Sequence, residues 1–270
     1  MQAKKSLGQH FLHSPQIIAD IVKAGKVTRN KTVLEIGPGK GVLTSALLST
    51  GAKVIAVEKD DRLIPELKEK FEKEIKSGKL ILVHGDILAL PMSRLNLDIL
   101  DDYKIIANIP YYITGQILRK FLETNNQPES MTLLIQKEVA ERIVARPARR
   151  GGRDGKESLL SLSVKIFGTP KYIRTVGRGA FSPQPNVDSA VLNIENISRK
   201  KLSGVDEKMF FKIIHAGFAH KRKQVLPNLS SLYKKEILIE VFEKCGVDLK
   251  TRAEDLSLET WIKLCKTTKL

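Results

Sequence analysis

The residues best suited to chemistry lie in KIIANIPYYITG, Lys104–Gly115. A short apolar run, Ile105–Ala107, reads as a strand. It breaks into Asn108, Ile109, Pro110, Tyr111 and Tyr112, where turns ordinarily carry Gly, Asn or Asp. An aromatic amine is a poor nucleophile because its lone pair is delocalised into the ring. The Asn108 side-chain oxygen and the Ile109 carbonyl could accept from such an amine's N–H groups and favour a pyramidal nitrogen. Pro110 would hold that carbonyl in one direction, and Tyr111 could stack on the base. A base modified on its edge must first be unstacked and presented in a pocket. The motif therefore suits a flipped adenine beside a methyl donor. The plainer alternative makes Tyr111 and Tyr112 amphipathic core residues at a strand end.

Three further features end strands. EIGPGKG, Glu35–Gly41, follows an apolar run and opens a helical pattern, with Gly37 and Gly39 where the backbone must turn and approach a ligand. Glu58 ends the next strand, 21 residues beyond Gly37, where a carboxylate accepts from ribose hydroxyls. Asp86 ends the third and could accept from the exocyclic amine of an adenine; taken alone it reads equally as a helix cap. The turn is G-P-G-K-G, not G-x-G-x-x-G, and Pro38 lacks an N–H, so the loop suits a pyrophosphate poorly. Two carboxylates and no phosphate cradle fit an adenosine cofactor such as S-adenosylmethionine.

The elements that position these residues follow from periodicity. The spacing predicts a helix over 15–24 and another over 61–76. Strands are expected at TVLEIG, AKVIAVE, KLILVHGD, KIIANI and MTLLIQ, with helices between. Alternation from residue 32 to 145 is the mark of a doubly wound parallel sheet. In such a sheet ligands bind at the carboxyl ends of the strands, where all four features fall. YIRTV and SAVLNIE read as further strands and LLSLSVKIF as a helix. From about Asp206 the pattern turns helical, which predicts a small all-helical second domain. The expected division is 1–200 and 201–270, with a polar linker near 196–205.

The formal charge is +16. Residues 1–141 hold 20 basic and 17 acidic side chains, whereas 142–178 hold 10 and 2 and 199–270 hold 16 and 9. The excess thus sits in two later blocks, which points to a polyanionic partner such as a nucleic acid. A solvated lysine-rich surface is the bland alternative. The first block contains PARRGGRDGKE, read as a basic loop with Arg149 and Arg150. The second contains Lys221, Arg222 and Lys223. The two cysteines, Cys245 and Cys265, form no CxxC or Cys/His cluster, so neither a structural zinc nor a disulfide framework is expected. No membrane span or secretory leader is read, and the expectation is a cytoplasmic monomer with no bound metal.

The ordered set KKSLGQHFL, EIGPGKGVLT, VEKD, GDIL, NIPYY, FSPQPNVDSAVL and FAHKRKQVLPNL resembles the rRNA adenine N6,N6-dimethyltransferase family, in its bacterial small-subunit (16S), KsgA-type branch. The resemblance covers nearly the whole chain. It implies a Rossmann-like class I S-adenosylmethionine-dependent methyltransferase with a helical C-terminal rRNA-binding domain. The implied reaction is dimethylation of two adjacent adenines near the 3′ end of small-subunit rRNA, within an immature small subunit. It implies that His10 and Leu12 contact the cofactor, that Gly37 approaches its methionine part, and that Glu58 and Asp86 hold ribose and adenine. Asn108 would bridge cofactor and target amine, and Phe181 would be the second stacking wall opposite Tyr111. His10 stands where many members have asparagine, and PARRGGRDGKESLL departs from the shorter stretch of many members. The resistance-type (Erm) enzymes of large-subunit rRNA share EIGPG and NIPY, and FAHKRKQVLPNL favours the small-subunit branch. A non-catalytic assembly factor on the same fold is the remaining alternative.

Overall fold

The computed structural model describes Lys4 and residues 7–95, 102–145, 155–220 and 222–268. Its strands are β1 (Phe11–Leu12), β2 (Thr32–Ile36), β3 (Lys53–Glu58), β4 (Leu80–His84), β5 (Tyr103–Asn108), β6 (Ser130–Gln136), β7 (Thr169–Val176), β8 (Phe181–Ser182) and β9 (Ser189–Glu195). Seven of them form one sheet in the order β4-β3-β2-β5-β6-β9-β7. From β4 to β6 all neighbours are parallel, in register Val33↔Val54 and Val33↔Lys104 across the centre. β2, β3, β5 and β6 are buried on both faces, which is why they read as continuous apolar runs, while the edge strand β4 leaves Ile81 and His84 exposed.

β9, read from the sequence only as a further strand, brings antiparallel pairing into the sheet. It lies between β6 and β7 and is antiparallel to both. Only a short excursion separates β7 from β9, without the long crossover that a parallel pair requires, so an antiparallel return is the accessible pairing.

The helix predicted over 15–24 spans Pro15–Ala24. The one predicted over 61–76 is instead two helices, Leu63–Lys70 and Glu72–Lys76. The break falls at Phe71 (φ −114°, ψ 28°), whose ring is buried against Gly41. Holding that ring against the glycine turn outweighs one continuous helical ladder.

The chain divides into two compact units, Met1–Ala140 with Thr169–Ile197, and Glu141–Gly168 with Ser198–Leu270. The return crossing at 197/198 lies within the expected linker. Unlike the expected 1–200 division, however, residues 141–168 group with the C-terminal part. The reason is packing: the helix Leu159–Lys165 leads into Phe167, whose ring stacks on Phe211 with centroids 6.1 Å apart.

The described elements of the second unit are helices joined by turns, with one isolated bridge between Gln224 and Arg252. Its helices include Glu207–Gly217, capped by Asp206, and Lys235–Cys245, closed by Gly246 at φ 72°. Leu258–Thr267 is capped by Ser257. They bury Phe210, Phe242 and Trp261. Among the described residues no helix is long and apolar enough to cross a membrane.

Candidate active site

The ends of β2, β3, β4 and β5 converge on one cavity, which the N-terminal segment Leu7–Leu12 also borders. Gly37, Gly39, Glu58, Asp86, Asn108, Ile109, Pro110, Tyr111, His10 and Leu12 all line it. Ten residues chosen from sequence thus meet at one place.

The glycine turn is held from two sides. Gly37 N–H donates to Val57 O at 2.9 Å, and Gly39 N–H donates to Glu58 Oε2 at 3.0 Å. Gly39 has φ 57°, and a Cβ there would lie 3.0 Å from the Phe11 ring, so only glycine lets the turn sit under that ring. Glu58 is 5% exposed and also accepts from Asp60 N–H at 2.8 Å. Burial pushes its carboxyl above the usual range, against the pull of those two amides. Its remaining lone pairs could accept from a ligand's hydroxyls.

Asp86 has committed both oxygens in part. Oδ2 accepts from Lys59 Nζ at 2.8 Å and Oδ1 from Leu88 N–H at 2.9 Å. The Lys59 ammonium holds its pKa below the ordinary value, so it stays an acceptor.

Glu35 is the residue sequence reasoning quoted without assigning a role. It lies in β2, 1% exposed, on the cavity wall, and among the described residues neither carboxylate oxygen has a partner within hydrogen-bond distance, the nearby Thr44 hydroxyl only tempering its charge. Burial pushes its pKa up to about 8. A buried carboxylate without donors is costly unless a ligand supplies them. The signal was present: a carboxylate inside TVLEI breaks an apolar run.

The N-terminal segment is pinned over the cavity by four contacts. Gln9 Nε2 donates to Asp60 at 2.8 Å, and the Arg62 guanidinium beside Asp60 holds that carboxyl well below the usual range. His10 Nδ1–H donates to Pro183 O at 2.8 Å. Asn108 Nδ2 donates to His10 O at 3.0 Å, which leaves Asn108 Oδ1 free to accept. β1 pairs antiparallel with β8, Leu12 opposite Phe181.

Phe181 stands opposite Leu12 in that pairing. Its side chain does not border the cavity; it is 2% exposed, in the apolar cluster that contains Leu12 and Ile18. The ring parallel to Tyr111 is His10, with centroids 5.9 Å apart and planes 22° from parallel. Tyr111 is half-buried, shares a 2.6 Å hydrogen bond with Ser189, and has its phenol pKa raised by burial.

The basic residues belong to the second unit. Arg222 and Lys223 are exposed, while Lys221, Arg149 and Arg150 lie outside the described residues. Buried Asn228 shapes this loop by donating to Gly217 O at 2.6 Å and His220 O at 3.3 Å. An antiparallel bridge between Gln224 and Arg252, with Val225 N–H on Thr251 O at 2.9 Å, brings Arg252 beside the basic run. Arg252 is some 30 residues away in sequence, and only this bridge reveals it.

The donor set suits an adenosine cofactor that carries a cation and no phosphate. Glu35, Glu58 and Asp86 line the cavity, and orphaned Glu35 could take an ammonium. This sheet order and this site define a Rossmann-like, class I S-adenosylmethionine-dependent methyltransferase. Residues 1–269 match the family described as Ribosomal RNA adenine dimethylase, and the chain belongs to that family of rRNA adenine methyltransferases.

Among its relatives is the Ribosomal RNA small subunit methyltransferase A of Dehalococcoides mccartyi (strain CBDB1). It is 42% identical over 98% of this chain and 88% of that protein. The protein of the same name from Clostridium botulinum (strain Loch Maree / Type A3) is 36% identical over 96% and 92%. A dimethyladenosine transferase from Plasmodium falciparum superposes with a TM-score of 0.76 at 26% identity, covering 94% of this chain and 96% of that one. The 23S rRNA methyltransferase ErmE reaches 0.75 at 23% identity over 96% and 100%, a likeness of fold.

Proposed function

We propose that this chain dimethylates N6 of two adjacent adenines in a loop near the 3′ end of small-subunit rRNA, acting as a cytoplasmic monomer on an immature small subunit. The names of the relatives support the substrate, and the basic second unit supports an RNA partner. When bound, S-adenosylmethionine supplies a sulfonium-activated methyl group. Glu35 would receive its ammonium, Glu58 its ribose hydroxyls and Asp86 its adenine amine, while His10 and Leu12 would cover it.

Asn108 carries the chemistry in this reading. With Nδ2 held by His10 O, Oδ1 would accept an N–H of the target amine. That bond and one to the Ile109 carbonyl favour a pyramidal nitrogen whose lone pair is free to attack. Tyr111 stacks on the base, and His10, the ring parallel to it, stands nearest to a second wall. The positively charged amine formed by transfer releases its proton to solvent, so no dedicated base is required. Catalysis then rests on positioning and on hydrogen bonds to developing charge. Lys221, Arg222, Lys223 and Arg252, with Arg149 and Arg150, would grip phosphates and set register while the cavity selects the base.

The observation that carries this is the free Asn108 oxygen among cofactor-type carboxylates at the strand ends. Asn108→Ala is expected to lower methyl transfer by about 10³-fold or more while RNA affinity stays within a few-fold. Parallel loss of both, in single-turnover and filter-binding assays, contradicts the assignment.

A further inference from the structure

We propose that Tyr112 forms an outer subsite at the mouth of the cavity, where its ring stacks on the unpaired nucleotide next to the target adenine and the Lys59 ammonium takes that nucleotide's phosphate. The proposal rests on the reading of a single-stranded rRNA target given above.

The two tyrosines of NIPYY are committed to different degrees. Tyr111 is half-buried, with its hydroxyl on Ser189 and its ring beside His10. Tyr112 is 61% exposed, the most exposed large apolar side chain among the described residues, and its hydroxyl has no partner among them. Yet the ring is not loose. It follows Pro110 in the short 3-10 turn Tyr111–Ile113, which Ile113 N–H closes onto Pro110 O at 3.2 Å. Gly8 backs the ring so closely that a Cβ there would lie 3.2 Å from Tyr112 Cε1. One side of the ring is therefore supported, and much of the rest is open to solvent.

Lys59 shares this border of the cavity. Its side chain is half-exposed, it pairs with Asp86 at 2.8 Å, and it lines the same cavity as Tyr112. A supported aromatic ring and a cation on the border of one cavity are the combination by which proteins hold single-stranded nucleic acid: every base has a face to stack, and every step has a phosphate. The substrate chemistry calls for such a place. While one of two adjacent adenines is in the inner site, its neighbour must wait unpaired one nucleotide away. Two successive residues, one ring inside and one at the mouth, match two successive bases.

The test compares full-length wild type, Tyr112→Ala and Tyr112→Phe on immature small ribosomal subunits. It measures KM, kcat, the methylation of each adenine after digestion, and calorimetric affinity for S-adenosylhomocysteine. Tyr112→Ala should raise KM about 10-fold, leave kcat and cofactor-product affinity within about twofold of wild type, and leave one adenine under-methylated. Tyr112→Phe should behave as wild type, because the face is needed and the hydroxyl is not. Lys59→Met should flatten the salt dependence of KM by about one phosphate contact. An unchanged KM in Tyr112→Ala overturns the subsite. So does a loss of S-adenosylhomocysteine affinity equal to the rise in KM, since the ring would then serve the cofactor. A wild type that methylates no small-subunit RNA overturns the substrate reading itself, which separates the two failures.

Discussion

The two units use charge in opposite ways. The first, Met1–Ala140 with Thr169–Ile197, holds 23 basic and 18 acidic side chains, and those that matter most turn inward. Glu35, Glu58 and Asp60 are buried, and each acts on one neighbour or one ligand atom. The second holds 23 basic and 12 acidic side chains in a smaller body. There Arg222, Lys223 and Arg252 are exposed, with no acidic partner among the described residues. A buried charge has few neighbours and a large individual effect, whereas exposed charges act as a screened sum. Chemistry and grip can therefore be altered separately, and the comparison is open to attack from either side.

After Asn108→Ala, the largest effect is expected at Glu35. Burial raises its folded-state pKa to about 8, so the folded protein holds this proton more tightly than the unfolded chain. The associated stability is full at acid pH and is lost as pH rises toward 8, by up to about 1.4 kcal/mol per unit. Glu35→Gln should remove that decline, and denaturant titrations of both proteins from pH 5 to 8 measure it. If Glu35 also receives the cofactor's ammonium, binding of S-adenosylhomocysteine near pH 7 should release a proton from wild type and not from Glu35→Gln. Calorimetry in buffers of different ionisation enthalpy reads that directly.

Asp86→Asn comes next. It keeps the shape and removes the charge that accepts from Lys59 and, in the proposed function, from an adenine amine. Cofactor affinity should fall about 10-fold, with RNA affinity unchanged. Equal loss of both would erase the contrast between the units.

The smallest single effects belong to the second unit. Lys223→Ala and Arg252→Ala should each weaken RNA binding modestly and lower the slope of log affinity against log salt by about 0.7 to 0.9. Cofactor affinity should not change. An Arg252→Ala protein with the wild-type salt slope would remove Arg252 from the RNA-facing surface.

Much of the first unit was legible because its site lies at strand ends. Glu58, Asp86 and Asn108 each close an apolar run, and a parallel sheet brings such ends together without further information. The pinning of the N-terminal segment was not legible. It depends on the two-residue pairing of β1 with β8, too short to show periodicity, and that pairing turns Phe181 into the core. Glu35 stood out as a carboxylate in an apolar run, but the side of the sheet it faces was not legible, because strands buried on both faces show no alternation to mark it. The grouping of residues 141–168 with the C-terminal helices, and Arg252 beside Arg222 and Lys223, are tertiary facts created by Phe167–Phe211 packing and the Gln224–Arg252 bridge. Neither leaves a local pattern.

The most direct measurement offers labelled S-adenosylmethionine to immature small subunits, large subunits and free rRNA, and digests the products to nucleosides. Dimethyladenosine from the small-subunit substrate alone is the predicted result. Label in large-subunit RNA, or binding to small subunits with no transfer, would contradict it.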